Sequence, residues 1–140
     1  MNQDIFSKQQ KNLINQIKNS YKEKGKPPQT SLDFYKLVKL LGKGSFGKVH
    51  LGKEILTDKL VAIKCIDKIY MKNDFSRMKI LQEVLILKKL VHVNIIRLLE
   101  VFENCQNFFI VMEYASSGDL LTKIKQTGRI SEDKAKCILK

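Results

Sequence analysis

The run Gly42-Lys43-Gly44-Ser45-Phe46-Gly47-Lys48-Val49, with Val61-Ala62-Ile63-Lys64 after it, decides how this chain folds. Three glycines within six residues let a backbone bend sharply and approach a ligand with no Cβ in the way. Lys64 stands in an apolar, β-branched stretch, where a cation has little reason to be unless something anionic faces it. Together the two segments imply a site for nucleotide phosphates.

Taken alone, the glycine run half-fits three phosphate-binding loops. Gly42-x-Gly44-x-x-Gly47 fits a dinucleotide fingerprint, with Asp67 further along, and Gly42-x4-Gly47-Lys48 departs from a P-loop only at Val49, where Ser or Thr is needed. Both of those loops require the last glycine to open a helix whose amides bind the phosphate. Here Val49 and Leu51 alternate at period two, as in a strand, and Ile55 follows less regularly. The preceding Tyr35–Leu41 is strand-like too. The loop therefore joins two strands as a hairpin flap, and a glycine hairpin without a ligand is the simplest competing reading.

Leu60–Ile66 reads as a third strand with Lys64 embedded in it. An ammonium buried without a partner is costly, so a carboxylate should face it. The segment from about Ser76 to Leu90 carries Ile80, Leu81, Val84, Leu85 and Leu87 at helical spacing. Glu83 lies among them, between Ile80 and Leu87 on the helix surface, and is the expected partner of Lys64.

In this order the residues resemble the amino-terminal lobe of a eukaryotic protein kinase, whose signature runs G-x-G-x-x-G-x-V, then V-A-I-K, then a helical glutamate. Asn94–Glu103 resembles that family's fourth strand, Phe108–Ala115 its fifth strand and hinge, and Ser116–Leu121 the start of the next helix. The resemblance covers about Phe34 to Lys140. Asn94-Ile95-Ile96-Arg97-Leu98 and Val111-Met112-Glu113-Tyr114 are similar to the serine/threonine branch, in its AMP-activated and calmodulin-dependent group. Val93 departs from the usual proline between His92 and Asn94, which loosens a turn and touches no chemistry; His92 is expected to be a packed or hydrogen-bonded turn residue.

The resemblance implies an α+β fold: a five-stranded antiparallel sheet with one major helix, a hinge, and the first helices of a truncated carboxy-terminal lobe. It implies ATP as the ligand. Loop amides around Gly42, Gly44, Ser45, Phe46 and Gly47 would cover the phosphates, and Lys64, oriented by Glu83, would hold the α- and β-phosphates. Leu41, Val49 and Ala62 would sandwich the adenine, with Leu120 beneath it. The backbone of Glu113 and Ala115 would bond its edge, Asp119 would reach the ribose, and Met112 would gate the pocket behind. By sequence alone the apolar members of this set read as core.

Catalysis in the family needs the aspartate and asparagine of H-R-D-x-x-x-x-N and the aspartate of D-F-G, the latter two for Mg²⁺. None of these strings occurs in the 140 residues, so no metal ligand is expected within them. Ser131 reads as the N-cap of a last helix, with Glu132 and Asp133 in its first turn. Its apolar face, Ala135, Ile138 and Leu139, runs to Lys140 without a stop signal. The expectation is a piece of a serine/threonine kinase acting on protein hydroxyls. The alternative is a complete, non-catalytic module that binds a nucleotide or a partner.

A net charge of +12 raises the possibility of a nucleic-acid binder. The lysines are scattered, however, and no nucleic-acid motif accompanies them, so none is expected as partner. Lys68, Lys72, Arg77 and Lys79 flank the glutamate helix; a solvated face is the plain reading, and docking of an acidic or phosphorylated segment the functional one. Cys65, Cys105 and Cys137 are odd in number and lack metal-ligand spacing, which implies reduced thiols. Without a signal peptide or long apolar run, a cytoplasmic or nuclear protein with no membrane insertion is expected. Residues 1–33, polar and basic, read as a flexible extension with at most a short transient helix at Leu13, Ile14 and Ile17. Gly25-Lys26-Pro27-Pro28 separates it from a domain over 34–140.

Overall fold

In the computed structural model, residues 2–139 are described. Met1 and Lys140, where the two expected segments begin and end, lie outside the described residues. Strand β3 (Leu60–Asp67) is the centre of the architecture, because its side chains alternate between two cores. β1 (Tyr35–Lys43), β2 (Gly47–Glu54), β4 (Leu98–Glu103) and β5 (Asn107–Glu113) complete one antiparallel sheet in the order β1-β2-β3-β5-β4. The expected five-stranded α+β fold is what forms.

On one face, Val61 and Ile63 pack with Phe109, Val111 and Tyr35. On the other, Ile66 and Ile110 pack with Ile80 and Val84 of helix α2 (Asp74–Lys89). Ile63, Ile66, Ile80 and Ile110 are fully buried, each contributing about 2–3 kcal/mol relative to exposure. α2 begins where Asn73 caps it, its Oδ1 accepting the N–H groups of Phe75 (2.9 Å) and Ser76 (3.3 Å). Before β4, His92 Nδ1 accepts the N–H of Asn94 at 3.0 Å, the hydrogen-bonded turn role expected of it.

The segment leading into β1 covers the outer face. Leu32 and Phe34 pack against that core, and the Tyr35 hydroxyl donates to Glu100 Oε1 on the far edge strand. Burial pushes the Glu100 carboxyl up from the ordinary range, against the lowering effect of the Thr30 hydroxyl.

Residues Asn2–Lys24 form a 23-residue helix, α1, where the sequence reading expects a flexible extension. Its ends obey local rules: Asp4 lies in the first turn, Lys22 and Lys24 in the last, and Gly25 (φ +67°) stops it. What holds it is tertiary. Leu13 is buried, Gln10 Nε2 donates to the Ile55 carbonyl at 2.7 Å, and Lys53 Nζ lies 4.9 Å from the Phe6 ring centroid. Beyond the sheet stand α3 (Leu120–Thr127) and α4 (Glu132–Ile138), the latter capped by Ser131 as its sequence implies. Among the described residues no helix is long and apolar enough to cross a membrane.

Candidate functional site

The glycine run forms the turn between β1 and β2, with Gly42 opposite Val49 and Lys43 opposite Lys48. The Gly44 N–H donates to the Gly47 carbonyl at 2.7 Å and closes the turn. A strand follows the last glycine, so the helix that a P-loop or dinucleotide fingerprint needs is absent from this position. Each glycine does something different. A Cβ on Gly47 would stand 2.0 Å from the Cys65 carbonyl oxygen, so only glycine lets the flap lie flat on β3. A Cβ on Gly44 would sit 3.9 Å from Lys64 Cε, filling the space between flap and lysine.

Register brings the next residues together. Val49 pairs with Lys64, and Ala62 pairs with Leu51 on one side and Met112 on the other. By alternation these side chains share the face that carries Lys64. Lys64 Nζ contacts both carboxylate oxygens of Glu83, at 3.0 and 3.3 Å. The lysine side chain is 15% exposed and the glutamate 44%. Glu83 is thus at the rim of the apolar face, more open than its neighbours in sequence suggest. A pair so exposed on one side adds little net stability. Its value is positional: it fixes an ammonium beneath the turn with one side left open.

Phe46, expected in the phosphate flap, turns its ring inward. It packs against the Ile66, Ile80 and Ile110 core and lies edge-on to Tyr70, 6.5 Å between centroids. Ser45 stays exposed at the tip, and Leu41 is half-exposed on β1. Ala115 and Leu120 are carried by the segment that leaves β5 and by the first residue of α3. Asp119 has a local role that the sequence reading did not give it, as N-cap of α3. Its two oxygens accept from the Thr122 N–H (2.7 Å) and hydroxyl (2.8 Å), and the backbone bond leads in holding its carboxyl below the usual range.

Glu113 carries a contact that no motif signals. Its carboxylate accepts the Arg97 N–H at 3.0 Å while its own N–H donates to the Arg97 carbonyl at 3.0 Å. This reciprocal clamp ties the end of β5 to the segment before β4. Among the described residues the Ala115 N–H makes no backbone hydrogen bond, which leaves it available at the expected hinge.

On the opposite face of β3, burial pushes the Cys65 thiol up, and its Sγ lies 3.8 Å from His50 Nδ1. Cys105 and Cys137 are exposed. At neutral pH a disulfide-exchange reagent should therefore label two thiols quickly and the third, part-buried one more slowly, at the rate of the others once urea unfolds the chain. Three equally fast thiols in the folded protein would contradict this burial.

The observed site is a glycine turn over a part-buried lysine, a carboxylate orienting that lysine, and an apolar wall beside it. Comparison with known proteins agrees with this geometry. Residues 35–140 match the protein kinase domain family. Over 102 residues, or 73% of its length, the chain is 40% identical to the SNF1-related protein kinase catalytic subunit alpha KIN12 of Arabidopsis thaliana, of which it spans 21%. The chain belongs to the eukaryotic protein kinase family, and its residues 35–139 comprise the sheet lobe, the linker leaving it and the helices that follow.

Proposed function

We propose that the cleft under the glycine turn binds ATP, and that the whole protein transfers its γ-phosphoryl group to serine or threonine hydroxyls of proteins. The observation that carries this reading is the Lys64–Glu83 pair at 3.0 Å beneath a turn whose Gly44 leaves room of one Cβ above it. The atoms nearest that space are the Gly47 carbonyl oxygen and the stem of Lys64; the lysine's ammonium is a donor, and polyphosphate oxygens are acceptors. Val49, Ala62 and Leu41 supply apolar contact for one face of the base, and Leu120 for the other. The Glu113 carbonyl and the Ala115 N–H bond its edge, Met112 limits the space behind it, and Asp119 is the ribose contact once Thr122 shares it. The 40% identity to an SNF1-related kinase supports placing the chain in the AMP-activated and calmodulin-dependent group.

In phosphoryl transfer the protein positions the phosphates and stabilises charge, and the residues here do the first of these. Mg²⁺, when bound to the nucleotide, would neutralise charge on the phosphates; the motifs that hold it do not occur in these 140 residues. The same is true of the aspartate base. The second reading, a non-catalytic nucleotide-binding module, is favoured by that observation for the chain taken by itself. A phosphorylation assay with the purified 140-residue chain, a generic peptide and Mg·ATP should show no transfer above background. Transfer that Lys64→Met abolishes would overturn this expectation, whereas weak ATP binding without transfer is its predicted signature.

A further inference from the structure

Helix α1 meets the sheet lobe through the face centred on Leu13, which is buried. At α-helical geometry Lys8, Lys11, Lys18 and Lys22 fall within an arc of roughly 80° on the opposite side. All four are exposed, and among the described residues none of them makes an ion pair. At 1.5 Å per residue their ridge is about 21 Å long. A merely solvated helix face tends to alternate the sign of its charges. Here the one carboxylate in line with the ridge is Asp4, in the first turn, where it complements the helix terminus.

The side chains beside this ridge select what it meets. Along the edge nearest Lys18 stand Ile14 and Tyr21, two turns apart, 41% and 53% exposed. The apolar part of α1 is therefore wider than the lobe covers. Ammonium groups in a row, bordered by an aliphatic and an aromatic side chain, suit the boundary between lipid headgroups and acyl chains. A straight ridge also touches a plane along its whole length, whereas the phosphates of a nucleic-acid duplex wind away from it. Ile14 and Tyr21 would gain little against a sugar-phosphate backbone. A second copy of this chain, with its net charge of +12, would bring like charges together.

We propose that the outward face of α1 rests on an anionic lipid surface. Lys8, Lys11, Lys18 and Lys22 would lie against the headgroup phosphates, with Ile14 and Tyr21 dipping beneath them. The helix lies on the surface and does not cross it. Its inward stripe stays on the lobe, with Leu13 buried and Gln10 bonded to the Ile55 carbonyl, so one helix holds lobe and lipid at once. The surface stands independently of the nucleotide reading, and its test contains no nucleotide.

The probe is a set of phosphatidylcholine vesicles with and without phosphatidylserine, sedimented with the full 140-residue chain. The chain should partition onto the vesicles that contain phosphatidylserine, and less so as salt is raised. Changing Lys8, Lys11, Lys18 and Lys22 together to Gln should lower that partitioning about tenfold or more. Glutamine keeps the helix propensity of lysine, so α1 still forms, and Arg at the same four positions should retain binding. The control changes Lys88, Lys89, Lys123 and Lys125 to Gln, four exposed lysines on α2 and α3 that make no ion pair among the described residues. It removes the same charge and should lower partitioning about twofold at most. Ile14→Ser with Tyr21→Ser should weaken binding about threefold to tenfold with every lysine in place. Equal losses in the two fourfold glutamine variants would reduce the effect to net charge and overturn the proposal, as would no partitioning onto the anionic vesicles. A DNA duplex that strips the chain from the vesicles at equal phosphate concentration would overturn it too, assigning the ridge to nucleic acid.

Discussion

Replacing Gly47 by alanine should lower the unfolding free energy by about 3 kcal/mol, among the largest effects of any single methyl group in this chain. The added Cβ would stand 2.0 Å from the Cys65 carbonyl oxygen, 2.9 Å from its carbon and 3.1 Å from Ile66 Cα. All three are backbone atoms of the central strand, so no rotamer change relieves the contact and β2 must lift away from β3. Gly42 is the internal control. A Cβ there meets nothing within 4 Å, and its φ is not in the left-handed region. Gly42→Ala should therefore stay within about 0.5 kcal/mol of the parent. Urea unfolding of the two variants separates the readings: equal midpoints would mean the glycines are interchangeable and the flap is not pinned on β3.

Lys64→Met should weaken ATP binding about tenfold to a hundredfold while leaving the fold intact. Charge-assisted hydrogen bonds are worth about 1.5–3 kcal/mol, and the Lys64 side chain is the cationic one nearest Gly44 among the described residues. Methionine keeps the length of the stem and fills the same space on the strand. Glu83, 44% exposed, can return to water when its partner is removed, so the loss appears in binding and not in stability. Glu83→Gln should cost less affinity than Lys64→Met, because it acts on the phosphates only through the lysine. Calorimetric titration of the three proteins checks the ranking. Unchanged affinity in Lys64→Met would remove the lysine from the site.

The sheet was legible because its signal is local and doubled. In β3, Val61 and Ile63 point to one core and Ile66 to the other, so period-two alternation and a largely apolar run coincide. The site's pair was legible for a related reason: a lysine in such a run needs a carboxylate, and Glu83 was the one available on the next helix. What sequence did not show depends on contacts remote along the chain. α1 looked like a mobile tail because three apolar residues seldom hold a helix. Its docking rests on Leu13 finding a buried place and Gln10 reaching the Ile55 carbonyl, 45 residues away. Phe46 read as part of the flap, yet its ring packs inward because α2 and Tyr70 offer an apolar seat there. Asp119 was assigned by resemblance to a ligand, although Asp before a helix with Thr three residues on is also a capping signal. The Glu113–Arg97 clamp had no sequence signal at all, because it joins the carboxylate and N–H at the end of β5 to the backbone of a residue 16 positions earlier, just before β4.

The central claim is that the glycine turn and Lys64 form a phosphate site, and amide chemical shifts during an ATP titration of the 140-residue chain test it most directly. The account predicts saturable shifts at Gly44, Ser45, Phe46, Gly47 and Lys64, with a further group at Ala115, and their loss in Lys64→Met. Shifts confined to the lysines of α1, with the glycine turn unmoved at saturation, would contradict it.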